Sequence, residues 1–463
     1  MTRRTRQIEA ATQRIGHEIF ARARAAQPGP LELGWWQERG LRWSMEHEEL
    51  RERLFRFIAS LPGLKSPQAV ARFLRDQFAA GNGALSGIPR PLALAVGLDG
   101  EVPLPPRWVA WAARFAADRM ARRFIVGSTP DEALRALARM RERGMAFTLD
   151  ILGETVTTPA EAEDYHRRYL RLIETLSAAV RRWPPRPLLD EAPFGPLPRA
   201  NVSVKLSALS AAFSPQTASP AVEEVADRLR LIFRSARRSE CFINVDMEHD
   251  AIRPATLEVF TRLLDEPEFR DWPHAGIALQ AYSRHSRKDL DGLMDWVGRR
   301  GVPVTIRLVK GAYWDYETEE AARLGRASPV WGEKWQSDAC FEELSTVLIE
   351  SASLLRPAYG SHNVRSIAHA LATAAALELP ERTIELQMLH GMGDPLKTAV
   401  VQMNQRLRVY APIGEWVPGV AYLVRRLLEN TANESFLRQG FGAGVDERTL
   451  LAAPGRLPAP HLG

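Results

Sequence analysis

Short apolar runs separated by amphipathic stretches dominate the chain from residue 146 onward. The runs are "AFTLDIL" (146–152), "NVSVKL" (201–206), "CFINVDM" (241–247), "GIALQAY" (276–282), "VTIRLVK" (304–310), "AYGSH" (358–362), "IELQML" (384–389) and "LRVYAP" (407–412). Between them lie stretches with apolar residues at helical spacing, among them "EAEDYHRRYLRLIETLSAAV", "AVEEVADRLRLIFRSA", "CFEELSTVLIESASLL" and "VRSIAHALATAAAL". Eight strands that alternate with helices predict an α/β fold, a (β/α)8 barrel. "AYGSH" is the shortest and most polar of the eight. Before residue 125 only helical periodicity is found, in "EELRERLFRFIASL" and "SPQAVARFLRDQFAA", and the Gly/Pro-rich "GNGALSGIPRPLALAVGLDGEVPLPP" sets these helices apart. The organisation expected is a helical N-terminal region over 1–125, a barrel over 126–440 and a tail over 441–463.

Composition narrows the class. The chain has 463 residues, 45% hydrophobic and 25% charged. No apolar run reaches the roughly 18 residues that span a bilayer. The 61 basic and 56 acidic residues nearly balance, at a net charge of +5 spread along the chain. That distribution argues against nucleic acid and permits contact with a membrane surface. Arg-rich "MTRRTRQIEAATQRIGHEIFARARAAQ" is interrupted by Glu9 and Glu18 and reads as an amphipathic helix, with a transit peptide as the alternative. Cys241 and Cys340 have no metal or redox spacing, so both are expected reduced, in the cytoplasm.

Barrel enzymes place their sites at the carboxyl ends of the strands. Lys205, Asp246, Gln280, Arg307, Lys310, His362, Asn363, Gln387 and Tyr410 fall there. Each alone reads equally as a solvated loop residue; seven strand ends that converge on one mouth predict a polar pocket. Lys205 and Asp246, at neighbouring strand ends, are expected to pair, either as part of the site or as a structural salt bridge. In "AYLVRRLLENTANESF", Tyr422, Arg425, Arg426 and Glu429 share one helical face. Two guanidiniums about 6 Å apart repel by roughly 3 kcal/mol at an effective dielectric near 20, a cost that a bound carboxylate or phosphate offsets. A solvated face with Glu429 as internal partner is the alternative.

Neither "GNGALSG" nor "GFGAG" has the spacing or context of a dinucleotide-binding turn, and the ten histidines include no H-x-H or H-E-x-x-H pair. A flavin held by scattered strand-end groups fits better. "HGMGDP" adds a helix start, with Asp394 as expected N-cap and Pro395 at the first helical position.

The ordered motifs "VSVKLSAL", "NVDMEH", "LQAY", "RLVKGAYWD", "SHN", "LQMLHGMGD", "YAPIGEW" and "YLVRRLLEN" resemble those of the proline dehydrogenase family, and closely those of the proline dehydrogenase half of the bifunctional proline utilization A flavoenzymes, over about residues 140–440. The resemblance implies FAD-dependent oxidation of L-proline to Δ1-pyrroline-5-carboxylate, by hydride transfer from C5 to flavin N5, with electrons passed to a membrane quinone from the inner face. It implies catalytic roles for Lys205, Asp246, Arg307 and Tyr410. Arg425 and Arg426 resemble the pair that binds the proline carboxylate, beside Lys205, and Tyr410 and Tyr422 the aromatics that close over the ring. Arg307 resembles the arginine beside the flavin. Val309, Gly311, Ala312, Tyr313 and Trp314 would touch the cofactor, Gly311 by permitting close backbone approach. Met247, Gln280, Lys334, His362, Asn363, Gln387, Glu429 and Ser435 match further cofactor-side positions. In "PVWGEKWQSD" Gly332 replaces a hydroxyl that relatives carry, and only Lys334 is matched. No aldehyde dehydrogenase segment follows in this sequence, so a separate pyrroline-5-carboxylate dehydrogenase is the expected partner. Two other readings stay open: an enzyme of this fold acting on hydroxyproline or another secondary amino acid, and a non-catalytic barrel partner.

Overall fold

The computed structural model describes residues 2–27, 53, 56–57, 60–79, 105–153, 156–214, 218–415 and 446–455. Eight parallel strands close into a barrel: β1 (Ala146–Ile151), β2 (Ala200–Val204), β3 (Cys241–Val245), β4 (Ala275–Gln280), β5 (Val304–Val309), β6 (Leu355–Gly360), β7 (Glu385–Leu389) and β8 (Leu407–Ile413). Each strand pairs with its sequence neighbours, and β1 closes the ring against β8 over Ala146↔Arg408 to Ile151↔Ile413. The eight runs thus appear in the expected order. The sixth differs in extent, because its strand begins at Leu355 and takes in "LRP". Arg356 and Pro357 lack the apolar alternation that marks the others, yet pair in register with Thr305 and Ile306 of β5.

The strands are buried on both faces, as parallel strands wrapped by helices are. Outward residues are apolar: Phe147, Leu149, Val202, Val204, Ile243, Val245, Ile277, Ile306, Leu308, Leu386 and Val409. The inward set is unusually polar, with Thr148, Asp150, Ser203, Asn244, Gln280, Arg307, Glu385, Gln387 and Arg408 all buried. Bonds from β5 to β2 and from β8 to β3 join strands that are not adjacent in the ring, so they cross the barrel interior.

Lower in the barrel, Arg408 donates to both oxygens of Glu385 (Nε to Oε1 2.7 Å, Nη2 to Oε2 2.9 Å), and Gln387 donates its amide to Oε1 at 2.7 Å. Burial would raise the Glu385 carboxyl, but Arg408, Arg406 and Gln387 outweigh it and pull the pKa down to about 2.

The N-terminal helix α1 (Arg3–Ala25) is capped by Thr2, whose side chain accepts from Thr5 N, and buries Thr12, Ile15, Gly16, Ile19, Phe20 and Ala23. It packs on the barrel helices α2 (Val364–Ala376) and α3 (Asp394–Gln402). Arg365 of α2 forms a four-way junction there. It is bidentate to Glu9 of α1, bidentate to Glu342 of the helix α4 (Lys334–Glu350), and donates to the Leu451 carbonyl at 3.0 Å. Gln13 of α1 reaches the same carbonyl at 2.7 Å. Both cysteines are buried and free. Among the described residues no helix is long and apolar enough to cross a membrane.

Because the Glu385 pKa is lower folded than unfolded, its contribution is fully present above about pH 4.5 and is lost as pH falls through about 2. The stability difference between the parent chain and Glu385→Gln, measured by urea unfolding, is therefore expected to be on the order of 3 kcal/mol larger at pH 7 than at pH 2. A difference that does not vary with pH would show that Glu385 titrates normally.

Candidate functional site

At the carboxyl ends of the strands four charged side chains form one connected set. Asp246, one residue beyond β3, accepts from Arg307 Nη1 of β5 at 2.6 Å and from Asn244 Nδ2 at 3.2 Å on Oδ1. Its Oδ2 accepts from the Tyr410 hydroxyl of β8 at 2.7 Å. Lys205, one residue beyond β2, donates to Asp150 of β1 at 2.6 Å and to the Tyr410 hydroxyl at 3.2 Å. Its Nζ is 3.7 Å from Asp246 Oδ2. The expected Lys205–Asp246 pair is therefore present, but as the longer contact; Asp150 is the lysine's near partner. Ser203 accepts from both Nη1 and Nη2 of Arg307 at 3.1 Å and lies 3.2 Å from the Thr148 hydroxyl.

Asp150 is 1% exposed, Arg307 4% and Lys205 6%, so all four charges sit where an unpaired one would be costly. Among the described residues, two carboxylates stand against two cations in this set. Tyr410 carries its ring 5.4 Å from the Arg307 guanidinium and 5.9 Å from Lys205 Nζ, and its hydroxyl bridges the two ion pairs. Burial, then the nearby Asp150 and Asp246, hold the phenol well above its ordinary pKa, so it stays protonated and donates to Asp246. One atom of the set is left over: Arg307 Nε is buried without a hydrogen-bond partner among the described residues.

Around this centre, Gln280 at the end of β4 donates to the Met247 carbonyl at 3.2 Å. Val309 gives its carbonyl to Ala281 N at 2.8 Å. Gly311 has φ +137°, and a Cβ there would collide with the Tyr282 ring, 2.6 Å from Cδ1. The close approach that requires glycine at this position is therefore to a neighbouring tyrosine. Ala312 and Trp314 are exposed, and Trp314 Nε1 donates to the Trp331 carbonyl at 2.8 Å. Tyr313 and Tyr316 flank the His249 ring at 4.4 and 4.2 Å between centroids. Lys310 pairs with Asp338, which Lys334 also approaches at 3.5 Å. A Cβ at Gly332 would meet open space.

His362 Nε2 accepts from Leu389 N at 3.2 Å, and Asn363 caps α2 through Ser366 N at 3.1 Å. Gln387 is directed to Glu385, away from the four-charge set. The helix after "HGMG" begins one residue earlier than expected: Gly393, at φ 62°, is the N-cap, and Asp394 is the first helical residue, bound to Lys397 Nζ at 2.7 Å. Tyr422, Arg425, Arg426, Glu429 and Ser435 lie outside the described residues.

Sequence reasoning missed Asp150, Ser203 and Asn244. Asp150 carried a signal, since a carboxylate inside the apolar run "AFTLDIL" has to find a partner if it is buried. Ser203 and Asn244 carried none, as small polar residues in a strand are common.

A closed parallel barrel that gathers titratable groups from several strand ends defines a barrel enzyme of the α/β class. Comparison with known proteins gives the particular kind: the family described as Proline dehydrogenase matches residues 133–439, and the chain belongs to it. The family described as Proline utilization A N-terminal domain matches residues 9–124. Among curated relatives, bifunctional protein PutA of Escherichia coli is 33% identical over 376 residues, which is 80% of this chain and 27% of that protein. Proline dehydrogenase 1 of Bacillus subtilis is 26% identical over 69% of this chain and 90% of its own length. Among solved structures, proline utilization A of Bdellovibrio bacteriovorus, inactivated by N-propargylglycine, superposes with a TM-score of 0.86 at 38% identity, covering 96% of this chain and 44% of that one. The chain thus spans about a quarter to a half of the length of its bifunctional relatives.

Lys205→Met would leave Asp150 buried without its near cation, and the expected loss is about 3–5 kcal/mol of folding stability in urea. Adding Asp150→Leu should recover at least half of it, because the pair is then replaced by apolar groups. A double variant as unstable as the single would mean that Lys205 acts mainly through Tyr410.

Proposed function

We propose that the chain oxidises L-proline to Δ1-pyrroline-5-carboxylate with FAD as resident cofactor, passes the electrons to a membrane quinone, and so performs the first step of proline catabolism. The product is a substrate for a pyrroline-5-carboxylate dehydrogenase. The observation that carries this reading is the paired set of Lys205, Asp150, Asp246 and Arg307 around the Tyr410 hydroxyl, which unites the family's candidate catalytic positions at one barrel mouth.

The donor set fits a flavin. Arg307 presents a buried, unpartnered Nε, the Gln280 side-chain amide lies at the end of β4 on the Met247 carbonyl, and exposed aromatics stand beside the end of β5. Arg307, Gln280 and Met247 would hold the ring system, with the segment from Val309 to Trp314 beside them. When bound, FAD supplies the acceptor for the hydride that leaves C5. Everything else falls to the chain's own residues. Asp246 and Ser203 fix the Arg307 guanidinium, so that a positive charge stands ready where negative charge develops, without reorganisation. Tyr410 offers its ring as one wall for the pyrrolidine, and its orientation is set by hydrogen bonds to Asp246 and Lys205.

The pairing within the set has a consequence for binding. Each cation already has a carboxylate, so an anionic substrate needs further positive charge, which Arg425 and Arg426 would bring. The site holds no nucleophile in this reading; placement and charge lower the barrier.

Anaerobic addition of L-proline to the purified, FAD-loaded protein is expected to bleach the flavin band at about 450 nm, with a much weaker response to hydroxyproline. Bound flavin that proline leaves oxidised would overturn the substrate. Arg425→Met and Arg426→Met are each expected to raise KM for proline by about tenfold or more, with a smaller effect on kcat. If KM is unchanged in both, the carboxylate is held elsewhere.

A further inference from the structure

The amino-terminal end of the barrel, opposite the mouth, carries an excess of positive charge that the reaction does not use. Arg356 opens β6, Arg382 precedes β7, and Arg406 and Arg408 stand at the start of β8. Glu385 is their carboxylate, and Arg408 occupies both of its oxygens. Arg406, 3% exposed, reaches Glu385 Oε2 at 3.3 Å through Nε without hydrogen-bond geometry. Arg356 and Arg382 have no carboxylate partner among the described residues. Beside the Arg406–Glu385 contact, the hydrogen bonds of this trio are to main-chain carbonyls: Arg356 to Pro273 at 3.0 Å, Arg406 to Glu191 at 3.3 Å and Arg382 to Pro187 at 3.5 Å.

Two further features make this more than a solvated patch. The Nε atoms of Arg356, Arg382 and Arg406 are each buried without a hydrogen-bond acceptor, as is Nδ1 of His274 nearby. Phe194, on the short hairpin of Glu191–Ala192 and Gly195–Pro196, lies under two of the guanidiniums, 4.4 Å from Arg356 and 6.0 Å from Arg406, and holds like charges close together. Arg382 adopts φ +66°, one of four non-glycine residues with positive φ among those described. Burial, then repulsion from Arg406, bring the Arg356 pKa down to about 10, and burial with Arg356 brings His274 down to about 4. The same physics that favours paired charges at the mouth disfavours this set, in which Glu385 alone among the described carboxylates faces several guanidiniums, unless a further anion joins it.

We infer that the Arg356 and Arg406 guanidiniums over Phe194, with Arg382 beside Arg406, form a binding site for a small phosphate-bearing ligand at the base of the barrel, independent of the oxidation site. Planar guanidiniums with unused donors match the several acceptor oxygens of a phosphate. An ester whose organic part is aromatic would in addition find the Phe194 ring. The ligand's source, free phosphate or such an ester, is left to the experiment.

Thermal unfolding of the full chain, followed at constant ionic strength with chloride as balancing anion, tests this. Inorganic phosphate is expected to raise Tm saturably, by about 2 °C or more, and Arg356→Met and Arg382→Gln are each expected to flatten that response. Arg382 is the more peripheral of the two, so it keeps the test usable if Arg356→Met folds poorly. Phenyl phosphate run in parallel separates the sources: saturation at lower concentration than phosphate identifies an aryl or nucleoside ester, and equal or weaker saturation identifies the free anion. No saturable rise in the parent chain, or a rise that both variants retain, overturns the site.

Discussion

Arg307 and Asp246 meet at 2.6 Å across the inside of the barrel, and much of the rest is arranged so that this contact is tolerable. A guanidinium taken out of water is stable only with a carboxylate and with its remaining protons satisfied. Ser203 serves two of those protons from β2, Asn244 and the Tyr410 hydroxyl fill the carboxylate's other lone pairs, and Lys205 with Asp150 repeats the same solution one strand further round. Residues from β1, β2, β3, β5 and β8 therefore depend on one another. Strand register and side-chain chemistry are two views of one constraint, since a slip of one residue would turn any of these groups toward the helices.

Much of the fold was legible because two periodicities alternate cleanly. Seven of the eight strands are apolar enough on the outward face to announce themselves, and the sixth failed in extent because Arg356 and Pro357 occupy places where apolar residues are the rule. The site was legible in part. Charged residues at strand ends stand out, so Lys205, Asp246 and Arg307 were found, but which carboxylate each cation chooses is a matter of ångströms that spacing does not encode. Lys205 prefers Asp150 by more than an ångström over Asp246. Gly311, expected to allow a cofactor close to the backbone, also lies against the Tyr282 ring, a packing neighbour that spacing does not reveal. Left-handed backbone at Arg382 has no sequence signature at all.

The two ends of the barrel use arginine in opposite ways. Among the described residues at the mouth, positive and negative charges meet within hydrogen-bond distance, which fixes geometry. At the base, Glu385 is bidentate to Arg408 and lies 3.3 Å from Arg406, while Arg356 and Arg382 rest on main-chain carbonyls and Arg356 on an aromatic face. Arg406 is as buried as the charges at the mouth, while Arg356 and Arg382 are only partly buried, and the base has fewer carboxylates for its guanidiniums. That contrast is why the mouth reads as a preorganised reaction site and the base as a place that attracts an anion.

Arg365 joins segments from far apart in the chain, with Glu9 on one side, Leu451 on another and the barrel helices at its back. In mechanical terms it is a rivet. Loss of this one side chain would loosen α1 and the segment at Leu451 together, since both are tied to the barrel helices through the same guanidinium.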